Sequence, residues 1–152
     1  MSELLFSRTP RVMLARFRVE LTPENMLALD TLVVKFIACA GTADTIVDYS
    51  GVPNAPFLTS MIAEAARKAP RMLGRRRFYV ADDMVIYGMC RLYSIYQEVN
   101  GFDPPEVVRT IDEALSALHA TDAVFTPYVP RLAAGSRYPS ALRTQDIDVA
   151  VC

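Results

Sequence analysis

A chain of 152 residues, 52% hydrophobic and with a formal net charge of −1, has the size of one ordinary domain able to bury a single core. No run of about 18 uncharged apolar residues is present to span a bilayer, and Glu3 ahead of a short apolar cluster does not read as a secretory signal, so a cytoplasmic chain without membrane association is expected. The near-neutral balance argues against an electrostatic binder of nucleic acid, and three widely spaced cysteines, Cys39, Cys90 and Cys152, with His119 as the sole histidine, support neither a disulfide framework nor a zinc site.

In chain order, Leu4 to Ser7 reads as a short strand, and Arg8, Thr9 and Pro10 separate it from a longer one over Val12 to Leu21. In the second, Met13, Ala15, Phe17, Val19 and Leu21 alternate with Arg16, Arg18 and Glu20, which predicts one apolar face and an opening hairpin. Thr22 as N-cap, Pro23 as first helical residue and Glu24 in the first turn predict a helix start. Leu29, Leu32, Val33, Phe36, Ile37 and Ala40 then recur at helical spacing, and Gly41 is the stop. Thr45 to Ser50 follows as a β-prone run, and Gly51, Pro53, Asn54 and Pro56 punctuate its exit toward a second helix that carries Phe57, Leu58, Met61, Ile62, Ala65 and Ala69. Such strand-turn-helix corners lie at the carboxyl ends of strands in open α/β sheets, where ligands gather.

Arg76 to Ala81 is the next strand. Asp82 and Asp83 can cap a third helix that runs to about Val99, before Asn100 and Gly101. Pro105 to Arg109 is a last short strand, and Thr110 with Glu113 has the spacing of a capping box opening a small helix through Leu118. Periodicity is lost from Thr121, where Pro127, Pro130 and Pro139 with Gly135 describe an extended tail, although Ile147, Val149 and Val151 alternate like a terminal strand. The predicted organisation is an α/β domain over residues 1–120, a mixed sheet of about five strands packed with four helices, followed by a tail over 121–152.

The element order and the run Ile46 to Val52, IVDYSGV, resemble the STAS fold of anti-sigma factor antagonists, whose central strand ends in a similar D-[LF]-S-G-V turn. The segment RRRFYVADDMVIYGMCRLY and the later TIDEALSAL are also similar to small bacterial STAS-like proteins. The resemblance implies a non-enzymatic regulatory or protein-interaction module. Phosphoregulated members of that family offer a serine at the helix start after the central strand. Here that place reads Pro53, Asn54, Ala55, Pro56, Phe57, without a hydroxyl, so the family-type phosphoswitch is not expected.

Asp48 and Asp82 each end a predicted parallel strand, and with Ser50 and Asn54 they form a candidate binding edge. A metal-dependent enzyme using the two carboxylates is the lesser alternative, since no lysine, histidine or third acid stands near them in the pattern; both serve more simply as acceptors for backbone N–H groups at helix starts. No cofactor is implied. His119, at the end of the last helix, has no partner suggested by spacing. Arg67, Lys68, Arg71, Arg75, Arg76 and Arg77 form a basic run without an acid, a candidate patch for an anion or an acidic partner, or a solvated loop. Small-ligand or lipid binding is a further alternative, from the apolar and tyrosine-rich helices.

The third helix carries more apolar surface than one sheet face needs: Met84, Val85, Ile86, Met89, Leu92, Tyr93, Ile95, Tyr96 and Val99 fill an arc of about 200°. Met84, Leu92, Ile95 and Val99 are expected to face the sheet. That leaves Ile86, Met89, Tyr93 and Tyr96 as an interface stripe, covered by a second copy in a homodimer or by the tail.

Overall fold

The computed structural model describes residues 2–56, 59–130 and 150–151. Among them are four helices and a mixed sheet: β1 (Glu3–Ser7), β2 (Val12–Arg16), α1 (Pro23–Ala40), β3 (Asp44–Asp48), α2 (Thr59–Ala66), β4 (Arg77–Val80), α3 (Met84–Val99), β5 (Glu106–Val108), α4 (Ile111–Ala117) and β6 (Thr126–Val129), with a two-residue β7 (Ala150–Val151). The strand order is β5-β4-β3-β2-β1-β6-β7. β1 and β2 form the antiparallel hairpin, while β2, β3, β4 and β5 run parallel to one another, as helical crossovers require. The α/β class is the predicted one.

Helix boundaries follow local chemistry. Thr22 Oγ1 accepts the Asn25 N–H at 3.2 Å and Pro23 opens α1, which ends at Gly41 with φ +78°. Arg11, from the β1–β2 turn, donates to the carbonyls of Ala40 and Thr42 and so covers the negative end of α1. Asp83 accepts from Val85 and Ile86 N–H at the start of α3, and Thr110 accepts from Glu113 N–H at the start of α4. His119 adopts φ +54° just past α4 and is exposed, in keeping with a helix terminus.

The sheet is covered on both faces. Ala15, Val47 and Tyr79 meet Leu29 of α1 and Ile86 and Cys90 of α3 on one face, and α2 packs against α3. Val12, Leu14, Ile46, Phe78 and Val80 meet Ala114 of α4 and Ala120 on the other. Val12 to Ala15 is therefore buried throughout, and the single apolar face predicted for β2 is corrected: a strand inside a two-sided sheet tolerates apolar residues on both sides. β2 is also shorter than predicted. Its partner β3 ends at Asp48, and after the Phe17 N–H has donated to the Asp48 carbonyl at 2.8 Å the chain leaves the ladder toward α1.

Part of the segment read as an extended tail builds the sheet. β6 pairs antiparallel with β1, and Tyr128 is buried with its ring 5.2 Å from Phe36, which in turn meets Phe6 at 5.0 Å. Pro127 is accommodated because β6 carries only two paired positions on β1, Leu5 with Pro127 and Phe6 with Thr126. The predicted terminal strand appears at Ala150–Val151, while Ile147 and Val149 lie outside the described residues, as do Phe57 and Leu58. Cys39 is disulfide-bonded and Cys90 is a free buried thiol. Wide spacing gave no sign of the bond at Cys39, because pairing between distant cysteines depends on the fold.

Candidate functional site

The carboxyl ends of β3 and β4 meet at one rim of the sheet. β3 delivers Asp48, whose side chain is buried, and the chain turns at Ser50 and Gly51, where φ is +73°. A glycine suits this turn because a side chain at that φ would clash with its own backbone. One Asp48 oxygen accepts the Ser50 N–H at 2.9 Å and the other pairs with Arg18 Nη2 at 3.0 Å. The same guanidinium donates to the Ser50 carbonyl at 2.7 Å, so Arg18 and Asp48 clamp the turn from both sides. From β4, Asp82 Oδ1 accepts the Gly51 N–H at 3.4 Å and the Asp83 N–H at 2.9 Å.

Farther along the rim, Asn54 donates to Glu20 Oε1 at 2.6 Å and its carbonyl accepts the Leu21 N–H at 3.0 Å, tying the turn to the start of α1. Asp48, Ser50, Asn54 and Asp82 are thus brought to a single rim. Arg18 and Glu20 are site residues that the sequence reading missed, having been taken as the solvent side of a longer β2. The parallel register that places Arg16 opposite Asp48 would have revealed Arg18 as its neighbour, but register was not available from one strand alone.

The chemistry open to this rim follows from the occupancy of its carboxylates. Asp48 is inaccessible and committed to Arg18 and a backbone N–H, whereas Asp82 is exposed and uses Oδ1 for two backbone N–H groups. No group of three or more His, Cys, Asp or Glu residues placed to hold a metal occurs among the described residues. Behind the rim, the rings of Tyr49 and Tyr79 lie 5.7 Å apart and Tyr79 stacks on Tyr93 at 5.6 Å. Burial, and then the neighbouring ionisable side chains, push the Tyr49 and Tyr79 hydroxyls well above the ordinary tyrosine range. Burial also raises the Cys90 thiol to about 12, which makes it a poor nucleophile.

The basic run is dispersed by its partners. Arg71 forms a two-pronged pair with Asp30 at 2.9 and 2.7 Å, and Arg76 pairs with Glu106 at 2.6 Å while lying over the Phe78 ring. Arg77 donates to Gln97 and to the Asp103 carbonyl, and Arg75 to Thr42. A cavity of about 260 Å³ at Arg75, Arg76 and Arg77 is lined also by Asp103 and Glu106, so its charge is mixed. Arg67 and Lys68 are exposed and separate from these pairs. The run is therefore not one anion patch; its spacing in sequence concealed acids that reach it from other elements.

The faces expected for α3 are exchanged. Ile86, Cys90 and Gln97 are buried and Tyr93 stacks on the sheet residue Tyr79, whereas Met84, Ile95 and Val99 are 79%, 49% and 76% exposed. The reason is Gln97, which the apolar pattern does not include. Its amide donates to the carbonyls of Ala66 and Lys68 at 2.7 and 3.0 Å, capping the end of α2, and its oxygen accepts from Arg77 at 3.1 Å. A fully satisfied amide is buried at little cost, and it turns the helix about its axis. Ile86 and Tyr93 are thereby withdrawn from the interface stripe, while Met89 and Tyr96 are half-buried at its margin.

Neither the scan against protein-family models nor the search of curated proteins returned a match for this chain. No helix among the described residues is long and apolar enough to cross a membrane.

Proposed function

We propose that the chain is a non-enzymatic interaction module of STAS-like type, which recognises a protein partner through the rim built on Asp48, Ser50, Gly51, Asn54 and Asp82. The observation that carries this reading is the commitment of Asp48 to holding the turn: its charge is spent on Arg18 and the Ser50 N–H, giving the rim a fixed shape. Gly51, Pro53 and Asn54 stand exposed on that rigid turn, as a recognition loop requires. The element order, with an antiparallel opening hairpin and four parallel strands, supports the STAS-like resemblance. The place where related proteins are phosphorylated lacks a hydroxyl, which favours constitutive binding over a phosphoswitch.

Capture of partners from the native cell on the immobilised wild-type chain and on Pro53→Arg tests this. Pro53 is exposed, so the variant keeps its fold while altering the rim. A partner recovered by the wild type and lost with Pro53→Arg is the expected result. The same set of proteins recovered by both would overturn the assignment of the rim.

A further inference from the structure

Two guanidinium groups from distant parts of the chain converge on Thr42, in the loop between α1 and β3. Arg11, in the β1–β2 turn, donates to the Thr42 carbonyl from Nε at 3.3 Å and from Nη2 at 3.1 Å, and Nη2 also reaches the Ala40 carbonyl. Arg75, shortly before β4, donates from Nε to Thr42 Oγ1 at 3.3 Å. Both arginines are exposed, and neither is paired with a carboxylate among the described residues. Arg11 also lies over the Phe6 ring at 5.3 Å, so its guanidinium is fixed by the ring as well as by the two carbonyls. A guanidinium carries five N–H donors in a planar fork. The bonds to Ala40 and Thr42 leave Nη1 of Arg11 and both Nη atoms of Arg75 without a protein acceptor among the described residues.

Holding two like charges at one residue is unfavourable, and the segments that meet there offset it only in part. The carboxyl end of α1 supplies Arg11 with about half a negative charge. Asp44 accepts the Arg76 N–H at 3.0 Å, and Glu106 is neutralised by the Arg76 side chain at 2.6 Å. Arg75 also lines the cavity that it shares with Arg77 and Asp103, and Arg8 is exposed in the same turn as Arg11. The cations Arg8, Arg11, Arg75 and Arg77 thus stand against Asp44, Asp103 and the helix end, and an excess of about 1.5 positive charges remains. That excess matches a dianion better than the single charge of a carboxylate. Two guanidinium forks with free N–H edges also suit the several oxygens of a phosphoryl group.

We propose that Arg11 and Arg75 form a binding site for a phosphoryl dianion at Thr42, with Arg8 at its margin. The dianion is either a free phosphate or a phosphate carried on a protein side chain; the two present the same oxygens and charge. Thr42 precedes β3 whereas Ser50 follows it, so the site lies at the opposite end of the sheet from the recognition rim. It goes beyond the interaction reading, and the two fail separately. Exposed forks hold a small anion weakly, and a dissociation constant of about 1 mM is expected for inorganic phosphate.

Nuclear magnetic resonance titration of the isotope-labelled full chain with inorganic phosphate, at pH 8 and constant ionic strength, is the test. Saturating amide shifts centred on Arg11, Gly41, Thr42 and Arg75 are expected. The Arg75 side chain bonds only to Thr42, so Arg75→Gln keeps the fold and should weaken phosphate about tenfold. Arg67→Gln with Lys68→Gln removes exposed cations outside the site and should leave the affinity unchanged. Acetate, with one charge, should bind about tenfold more weakly than phosphate. A phosphoserine peptide that shifts the same amides and binds about tenfold tighter than inorganic phosphate assigns the site to a modified protein segment; one that binds no tighter assigns it to a free phosphate. Shifts that do not saturate, or an affinity unchanged in Arg75→Gln, overturn the proposal. So does an equal loss in Arg67→Gln with Lys68→Gln, which would mark diffuse attraction to surface charge, and acetate binding as tightly as phosphate overturns the phosphoryl assignment.

Discussion

Two buried polar side chains, Asp48 and Gln97, each decide the position of something larger than themselves. Asp48 holds Arg18 and the Ser50 N–H. Asp48→Asn keeps the size but removes the charge that Arg18 pairs with, and should cost about 2–3 kcal/mol, below the value for a fully buried pair because Arg18 is 44% exposed. Urea denaturation of the variant measures this. Gln97→Leu leaves the Lys68 carbonyl without its side-chain donor and removes one bond each from the Ala66 carbonyl, which keeps Asn100, and from Arg77, which keeps the Asp103 carbonyl, and a loss of about 2 kcal/mol is expected in the same measurement. Titration at this scale has a definite sign. Cys90, Tyr49 and Tyr79 hold their protons more tightly folded than unfolded, so below the ordinary values of 9.0 and 10.0 their contribution is fully present. As pH rises above those values the unfolded chain releases protons first, and stability falls. A melting temperature that begins to drop above pH 9, together with failure of iodoacetamide to label Cys90 in the native protein at pH 8, is the expected outcome.

Among the elements, capping chemistry was the most legible signal and amphipathic orientation the least. Thr22, Asp83, Thr110 and Gly41 mark helix ends by direct hydrogen bonds or backbone conformation within a few residues, so sequence alone reveals them. The side that α3 turns to the sheet depends on Gln97 finding α2, a partner that lies in another element. An apolar count cannot weigh that bond, and it placed Met84 and Val99 inside and Ile86 outside. The corrected orientation leads to a prediction at Gly88. Its site on α3 is open and helical, so Gly88→Ala should raise the stability by about 1 kcal/mol, measured by urea denaturation.

For the molecule as a whole, the α/β class and the βα order were readable because hydrophobic period switches between elements. The rim was readable in part: Asp48, Ser50, Asn54 and Asp82 were found from their places at strand ends, but Arg18 and Glu20 required the register of β2 on β3. β6 was hidden because Pro127 and Pro130 read as breakers; the strand tolerates Pro127 because, among the described residues, its pairing with β7 begins only at Tyr128, so the proline is unpaired on that side. Tyr128→Ala tests how far β6 belongs to the core; loss of its contact with Phe36 should cost about 3 kcal/mol. A loss below half of that in thermal or urea unfolding would make β6 an ornament of the sheet.

The antiparallel placement of β1 has a practical consequence. β1 begins where β2 ends, since Glu3 stands opposite Arg16 and Arg16 opposite Asp48, and β6 and β7 finish level with it. Chain entering at Glu3 is displaced from the Ser50 turn by two strand spacings, about 10 Å, and chain leaving at Val151 by four, about 19 Å. Both handles therefore emerge on the same end of the sheet as the turn at Ser50 and Gly51. A bead, fusion or fluorophore attached ahead of Glu3 would shade the turn from a partner, whereas attachment at Arg75, on the far rim, would leave it open. Capture that succeeds through Arg75→Cys coupling and fails through an N-terminal tether would map the docking side by steric shadow alone, without altering any rim residue.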